Sequence, residues 1–250
     1  MAGAARAVRY ALALAIGLGL TSSGMLSAHA ASVPTVPAIV VGGSAAAGWN
    51  DPLGHGYVER GLAAYGQAEG IRFSITNYGI RGAPTVDSRV ARMYPRWLHK
   101  LGPNGVVVLA WGMLNDLRLG TPPAASEIAI RRQISQALTN RDLVLVVTPP
   151  VTRLSVGKWR IPEADLVRME LNVAASFDSP RVRTVDAYFP ELALWDSHHY
   201  NYRHFMYNGY DPNLHGYVLA GKILASVLEK SWNAGVAIPP RIGATAVAIR

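Results

Sequence analysis

The sequence predicts an α/β domain in which helices cover both faces of a mostly parallel, five-stranded sheet. Short apolar runs rich in β-branched residues alternate along the chain with longer segments of helical periodicity. Most of the runs are apolar at almost every position, as expected for strands that are buried on both faces. We predict strands at 37–41, 71–76, 105–110, 143–148 and 182–185. The predicted helices cover 57–69, 86–100, 124–138, 163–177 and 212–232.

Five such strand–helix units predict a three-layer α/β/α sandwich with a flavodoxin-like sheet. In an open parallel sheet, ligands bind at the edge where the strands end, in the segments that follow them. We therefore expect the functional residues in the loops after the strands.

The first 30 residues have the features of a secretory signal peptide. An N-terminal stretch with two arginines and no acidic residue precedes an apolar run over 11–20, and the segment ends in Ala-His-Ala at 28–30. The run is too short to cross a bilayer, which takes about 20 residues. We predict removal of residues 1–30 and one domain over 31–250, secreted or periplasmic and without stable membrane insertion.

Composition and motifs exclude several classes of function. The chain has no cysteine, which excludes disulfides, thiolate metal ligands and a cysteine nucleophile. Its formal net charge is +8, but the arginines are scattered, so a solvated basic surface is expected rather than nucleic-acid binding. Gly42, Gly43 and Gly48 do not form G-x-G-x-x-G, and Asn77 stands where a nucleotide-binding strand would end in an acid.

Three loops carry the groups that acyl transfer needs. A small-residue turn that contains Ser44 follows the first strand, and a glycine-containing turn that ends at Gly82 follows the second. The third strand leads into Gly-Met-Leu-Asn-Asp at 112–116, which contains Asn115. A hydroxyl, a backbone N–H and a carboxamide are a nucleophile and two donors for a developing oxyanion.

In these motifs the sequence resembles the SGNH (GDSL-type) hydrolases. Their four blocks are a serine after the first strand, a glycine after the second, an asparagine in G-x-N-D after the third, and a D-x-x-H-P-N-like segment before the last helix. The resemblance covers about 41–228. It implies that Ser44 is the nucleophile and that its N–H, the N–H of Gly82 and the side chain of Asn115 form the oxyanion hole. No metal or cofactor is implied.

Two blocks depart from the family pattern and leave structural alternatives open. Gly43 stands where the family has an aspartate, and Gly112 to Asp116 is one residue longer than G-x-N-D. The alternative is that Ser44 and Asn115 do no more than cap helices. The glycines of the second loop would then serve only the conformation of the turn.

The fourth block departs most. Residues 208–217 align with D-G-x-H-P-N-x-x-G-Y, which places Asn208 where the acid belongs and Asp211 where the histidine belongs. We predict His215 as the general base, held by Asp211. Pro212 would begin the helix with Asp211 as its N-cap, and residues four apart share a helix face. The alternative is that Asp211 only caps the helix while His215 packs under a loop.

Other histidines compete for the role of general base. The segment Asp-Ser-His-His at 196–199 is a literal D-x-x-H and contains His198 and His199, and His204 lies in the same aromatic loop. A chain with no catalytic base is a further alternative. As metal ligands these histidines lack an accompanying acidic or cysteine cluster, so no metal site is predicted.

Two functional hypotheses follow. The first is an exported serine esterase that acts on carboxylic esters, O-acetyl groups included, of an envelope, polysaccharide or lipid substrate through an acyl-serine intermediate. The second, motivated by the departures at 43, 208 and 211, is a catalytically degenerate member that binds a glycan or envelope component. The expected partner is a small-molecule or glycan ester in the first and a glycan in the second. They differ in whether Ser44 forms a covalent adduct.

Overall fold

The computed structural model describes residues 33–232, and the predicted signal peptide and the tail after Trp232 lie outside the described residues. The strands are β1 (Thr35–Gly42), β2 (Arg72–Asn77), β3 (Val106–Ala110), β4 (Leu143–Val147) and β5 (Val182–Val185). The helices are α1 (Gly56–Glu69), α2 (Ser88–Leu101), α3 (Leu114–Leu119), α4 (Pro123–Thr139), α5 (Arg160–Ala175), α6 (Tyr188–His198), α7 (Tyr202–Phe205) and α8 (Leu214–Trp232).

The sheet is parallel throughout, with the strand order β2-β1-β3-β4-β5. This is the flavodoxin-like order, and the predicted three-layer sandwich is confirmed. Every predicted strand and helix is present, with ends that differ by a few residues. The helices α3, α6 and α7 were not predicted, because they are short and lie in segments that follow strands. No helix within residues 33–232 is long and apolar enough to cross a membrane.

Alternate residues of each strand supply two separate hydrophobic layers, because successive side chains point to opposite faces of a sheet. Ile39 and Val41 of β1 belong to the layer that packs against α2, α4 and α5. Ala38 and Val40 belong to the other layer, which packs against α1 and α8. The central strands β3 and β4 and most of β1 are thus buried on both faces, as their apolar sequences predict, whereas the edge strands β2 and β5 are only partly buried.

The helices α1 and α8 cross at close range. A β-carbon at Gly61 of α1 would lie 2.6 Å from the side chain of Leu224 in α8, so the glycine permits this approach. Tyr217 of α8 donates a hydrogen bond of 2.6 Å from its hydroxyl to the carbonyl of Trp49, in the segment that leads into α1. The packing of the two helices and this hydrogen bond therefore hold the segment before α1 next to the start of α8.

Three glutamates, Glu163 and Glu170 of α5 and Glu191 of α6, are buried in the protein, and two of them have a polar neighbour. The hydroxyl of Tyr188 lies 3.5 Å from Glu163, and the N–H of Val151 donates to Glu191 at 3.2 Å. Burial raises the pKa of Glu163 and that of Glu191 to about 8 each. Both side chains therefore keep their protons in the folded protein at a pH at which glutamates of an unfolded chain are ionised.

This burial predicts that stability falls as the pH rises. The contribution of the two glutamates is fully present below their ordinary pKa of about 4.5 and is lost between there and about 8, because only the unfolded state releases protons in that window. We expect the free energy of unfolding to fall by roughly 3 kcal/mol for each of the two glutamates from pH 5 to pH 8. Urea unfolding at each pH measures it. The double variant Glu163→Gln, Glu191→Gln should make the profile less steep, with the remaining slope due in part to Glu170, whose pKa burial also raises. An unchanged slope in that variant would refute the assignment.

Candidate active site

Ser44 lies in a tight turn directly after β1. The N–H of Ala47 donates to the carbonyl of Gly43, and that of Trp49 donates to the carbonyl of Ser44, each at 3.0 Å. No helix begins at Ser44, so it does not act as an N-cap. The residue is half-buried, and its hydroxyl has no hydrogen-bond partner within residues 33–232. The serine is thus held by its backbone and leaves its side chain free.

The loop after β2 runs alongside the end of β1. The N–H of Tyr78 donates to the carbonyl of Val40 at 2.8 Å, and that of Ile80 donates to Gly42 at 2.9 Å. These bonds extend the pairing of the two neighbouring strands. As a result, the turn that contains Gly82 reaches the turn that contains Ser44.

Gly82 occupies a position that requires a left-handed backbone. The N–H of Ala83 donates to the carbonyl of Ile80 at 3.2 Å, which closes a β-turn with Gly82 at its third position and φ at 72°. Within the described chain, the N–H groups of Gly82 and Ser44 donate no hydrogen bond. Two free backbone donors on adjacent loops are the arrangement that an oxyanion hole needs.

Asn115 lies in the first turn of α3, where its amide contacts the other two loops. Its Nδ2 donates to the carbonyl of Ala83 at 3.2 Å, and its Oδ1 lies 3.5 Å from Nη2 of Arg118. The residue before the helix is Met113, with no side-chain capping bond, so Asn115 is not a helix cap. A β-carbon at Gly43 would lie 3.3 Å from Asn115 Nδ2, so the family's aspartate would crowd this amide.

Asp116 fixes α3 to its surroundings. Its buried carboxylate accepts hydrogen bonds from the N–H of Thr85 at 3.2 Å, the Thr85 hydroxyl at 2.7 Å and the Ser126 hydroxyl at 3.0 Å. Burial raises the pKa of Asp116 despite these bonds. The residue thereby ties the helix of Asn115 to the segment that follows Gly82 and to α4.

An open cavity of about 240 Å³ lies where these loops meet. It is lined by Ser44, Arg81, Gly82, Asn115, Arg118, Asn208, Tyr210 and Asp211. The three residues predicted for the nucleophile and the oxyanion hole thus share one solvent-accessible cavity, at the topological switch point of the sheet between β1 and β3. A larger cavity of about 470 Å³ beside β5 contains none of the predicted site residues.

A comparison with known protein families identifies the family of this chain. The model of the GDSL-like lipase/acylhydrolase family matches residues 40–219. The chain belongs to that family. It is therefore a carboxylic ester hydrolase of the SGNH type, as the sequence motifs predicted. No curated protein matches the sequence significantly.

Solved structures of other GDSL proteins share the fold of this hydrolase. A member of the lipolytic G-D-S-L family from Veillonella parvula has a TM-score of 0.61 at 18% identity over 80% of this chain and 99% of its own. A catalytic mutant of Axe2, an acetylxylan esterase from Geobacillus stearothermophilus, has a TM-score of 0.61 at 14% identity, over 78% of this chain and 93% of its own. The esterase EstA from Pseudoalteromonas has a TM-score of 0.59 at 15% identity, over 79% of this chain and 99% of its own.

His215 of the hydrolase lies outside the lining of the Ser44 cavity. The helix α8 begins at Leu214, two positions later than predicted, and Asn213 is its cap, since Asn213 Oδ1 accepts the N–H of Gly216 at 3.1 Å. The predictions that Asp211 is the N-cap and Pro212 the first helical residue were wrong. His215 is exposed and stacks on His204, with ring centroids 4.7 Å apart.

Asp211 contacts Asn208 instead of His215. Asn208 Oδ1 accepts the N–H groups of Tyr210 and Asp211 at 2.7 and 2.8 Å, and its Nδ2 donates to Asp211 Oδ2 at 3.1 Å. Because Asn208 binds both the backbone N–H and the carboxylate of Asp211, Asp211 belongs to this turn and does not cap the helix. This explains why α8 begins only at Leu214. The predicted pairing of Asp211 with His215 is not seen.

The other histidines considered from the sequence do not reach Ser44 either. His198 is bonded through Nδ1 to the hydroxyl of Ser197 at 2.8 Å at the end of α6, and His199 ends that helix with a left-handed backbone. No histidine of residues 33–232 lines the cavity. The catalytic role of a histidine stays a prediction that this geometry does not support.

Asp211 is the acidic side chain in the cavity lining. The residue is buried, and while its Oδ2 is bonded to Asn208, its Oδ1 has no hydrogen-bond partner in the described part of the chain. A buried carboxylate oxygen without a partner is costly to leave unpaired, so it is a position at which a proton can bind.

Sequence reasoning missed the two arginines of the cavity. Arg81 directly precedes Gly82, and Arg118 lies three residues after Asn115. Residues three apart share a helix face. A prediction of α3 would therefore have placed Arg118 beside the carboxamide.

Proposed function

We propose that this SGNH hydrolase is exported and removes acyl groups, including acetyl, from an envelope, polysaccharide or lipid substrate through an acyl-Ser44 intermediate. The observation that carries the proposal is the free Ser44 hydroxyl in one cavity with the free N–H of Gly82 and the amide of Asn115. The signal-peptide features of residues 1–30 support export.

In the proposed reaction, Ser44 Oγ attacks the ester carbonyl carbon and its proton passes to Oδ1 of Asp211. The N–H groups of Ser44 and Gly82 and the Nδ2 of Asn115 stabilise the oxyanion. The bond from carbon to the alcohol oxygen then breaks, and the alcohol leaves with the proton from Asp211. Water next attacks the acyl-serine, Asp211 accepts a proton from that water, and the collapse of the second intermediate returns a proton to Ser44.

The assignment of the base to Asp211 rests on location and on its free oxygen. Asp211 stands at the sequence position of the family's histidine, and it lines the same cavity as Ser44. Asn208 orients the carboxylate through Oδ2 and leaves Oδ1 available. A positioned carboxylate acts as a general base in other enzymes, so the histidine is not chemically indispensable.

The cavity supports a carbohydrate ester with a small acyl group. Tyr210 is 44% exposed at the rim, and its ring lies 6.2 Å from that of Trp159 in an edge-on arrangement. Aromatic faces of this kind pack against the apolar face of a sugar. The structural similarity to an acetylxylan esterase is consistent with a sugar acetyl ester.

The second candidate function is binding of a glycan without hydrolysis. It is favoured by one observation, which is that no histidine from the described residues lines the cavity. This candidate predicts that Ser44 forms no covalent adduct and that small acetyl or butyryl esters are not turned over.

Labelling with a fluorophosphonate probe distinguishes the two candidates. We expect the probe to attach to the wild-type protein at Ser44, because the free hydroxyl and the oxyanion donors favour attack on an electrophilic phosphorus. Intact-mass measurement and peptide mapping identify the modified residue. Ser44→Ala should abolish labelling, whereas Ser88→Ala, at the exposed start of α2, should not. Equal labelling of both variants, or none of the wild type, would contradict the acyl-enzyme mechanism.

A further inference from the structure

The Ser44 cavity carries more positive charge than ester hydrolysis requires. Two guanidinium groups, from Arg81 and Arg118, line it together with a single carboxylate from Asp211. The nucleophile, the oxyanion donors and the base are supplied by other residues, so the mechanism leaves both arginines without a role.

Arg81 is held at the cavity by an aromatic ring. Its guanidinium carbon lies 3.8 Å from the centroid of the Trp49 ring. Trp49 is itself fixed, because its N–H donates to Ser44 and its carbonyl accepts from the hydroxyl of Tyr217. Stacking on a ring occupies the face of a guanidinium and leaves the N–H groups along its edge free to bind an anion.

Arg118 is held beside the oxyanion donors. Its Nη2 lies 3.5 Å from Asn115 Oδ1, and it would lie 3.6 Å from a β-carbon at Gly82. The guanidinium therefore stands next to the point at which the substrate carbonyl is expected. Arg81 comes from the loop after β2 and Arg118 from helix α3 after β3, so two separate segments each deliver an arginine to this cavity.

Neither arginine is neutralised within the described chain. Arg60 and Arg160, by comparison, pair with Asp51 and Asp196 at 2.7 and 2.5 Å. Arg81 and Arg118 form no ion pair among residues 33–232, and both side chains are exposed. Asp211 lines the same cavity, but its Oδ2 is bonded to Asn208. Apart from the Nη2 of Arg118, which donates to Asn115 Oδ1, the guanidinium donors of both arginines are thus left for a ligand.

We propose that the substrate is an acyl ester of an acidic sugar, whose carboxylate or phosphate group is bound by Arg81 and Arg118 while Tyr210 packs against the ring. Planar guanidinium groups recognise both anions through paired hydrogen bonds. In this proposal the anion lies on the sugar, which is the alcohol part of the ester. When the acid group is next to the acylated hydroxyl, the arginines can bind the acid group while the ester carbonyl faces Ser44. This inference rests on the proposed function, since it names the substrate class of the same site.

The test compares matched sugar acetates. The substrates are O-acetylated methyl glucuronoside, O-acetylated methyl glucoside and O-acetylated methyl glucoside 6-phosphate, with release of acetate as the readout. We expect kcat/KM for the better anionic substrate to exceed that for the neutral one by about tenfold or more, because hydrogen bonds between charged partners are the strong ones. The two anionic substrates distinguish a carboxylate from a phosphate ligand.

Variants of the arginines make the test specific. Arg81→Gln and Arg118→Gln should each lower the ratio of anionic to neutral kcat/KM by about fivefold, a change that a purely structural role would not produce. Arg72→Gln is the matched control, since Arg72 is also exposed and without an ion pair in the described chain but begins β2, away from the loops that follow the strands. Rising salt should reduce the preference for the anionic substrates.

The outcomes separate this inference from the proposed function. Turnover of the neutral acetate with no preference for either anionic substrate would refute the acidic-sugar proposal and leave the esterase intact. Failure of Ser44 labelling and of all turnover would refute the esterase. In that case a binding measurement would still test the recognition of acidic sugars. Calorimetry would measure binding of unacetylated methyl glucuronoside and of methyl glucoside 6-phosphate to the wild type, and Arg81→Gln should lose that binding. Absence of binding of both sugars to the wild type would then overturn the inference.

Discussion

Replacement of Asp211 by Asn is expected to lower kcat for acetyl ester hydrolysis by about 10²–10⁴-fold, the range typical of a lost general base. The amide keeps the shape of the side chain but cannot accept the proton of Ser44. Because Asn208 Nδ2 now donates to Asp211 Oδ2, the amide can turn its oxygen toward Asn208 and keep the local turn. Steady-state kinetics with a chromogenic acetate measure the effect, and unfolding in urea shows whether the fold is retained.

The controls for this prediction discriminate between Asp211 and the histidines. Asp178→Asn removes an exposed carboxylate outside the cavity lining and should leave kcat unchanged. His215→Ala and His204→Ala should also retain most of the activity, because neither residue lines the Ser44 cavity. If His215→Ala abolished turnover while Asp211→Asn did not, the base would be His215, as the sequence motif alone predicted.

A gain-of-function pair tests the same assignment from the other side. The double variant Asn208→Asp, Asp211→His places the family's acid and histidine at their usual positions, and we expect it to remain active. Carboxyl groups ordinarily ionise at a lower pH than imidazole. The acid limb of the pH–rate profile should therefore move to higher pH in the double variant. An inactive but folded double variant would indicate that these two positions do not act on Ser44.

Replacement of Asp116 by Ala is expected to lower the free energy of unfolding by about 3–5 kcal/mol, because two hydroxyls and one backbone N–H lose their acceptor in a buried site. These donors belong to Thr85 and Ser126. Thermal and urea unfolding measure the loss. Asp116→Asn retains one acceptor oxygen and should lose less than the alanine variant.

The Asp116 substitution should also lower activity in the folded protein. Asp116 touches no substrate; it acts by holding α3, and with it Asn115, against the segment after Gly82. We therefore expect a fall in kcat with little change in KM, as for the loss of an interaction made only in the transition state. A destabilised Asp116→Ala variant with unchanged kcat would assign the residue to stability alone.

The sequence was sufficient for the sheet and for the three loops that meet at the Ser44 cavity. Strands such as β3 and β4 are buried on both faces, so their apolar runs are unmistakable. The loops after β1, β2 and β3 converge because these strands are neighbours in the observed order. For that reason Ser44, Gly82 and Asn115, chosen from motifs and position, share one cavity.

The position of Asp211 and His215 depended on which residue caps the last helix, and the sequence does not decide this. Asp211 and Asn213 are both favoured N-cap residues, and either could begin the last helix. The side chain of Asn208 decides between them, because it bonds the backbone and carboxylate of Asp211 and leaves Asn213 to cap α8. In the observed structure α8 begins at Leu214, His215 lies outside the lining of the Ser44 cavity, and Asp211 lies within it.

The close crossing of α1 and α8 has a consequence for how the reaction geometry is maintained. Ser44 precedes the first of these helices and Asp211 precedes the last, so nucleophile and carboxylate come from opposite ends of the domain's chain. Their separation depends on the helix pair that Gly61 brings together, whereas the donors for the oxyanion are held by the loops after β1 and β2 and by α3. A bulkier residue at position 61 would therefore impair proton transfer before it impaired stabilisation of the oxyanion, through a buried contact between two helices that is remote from any substrate.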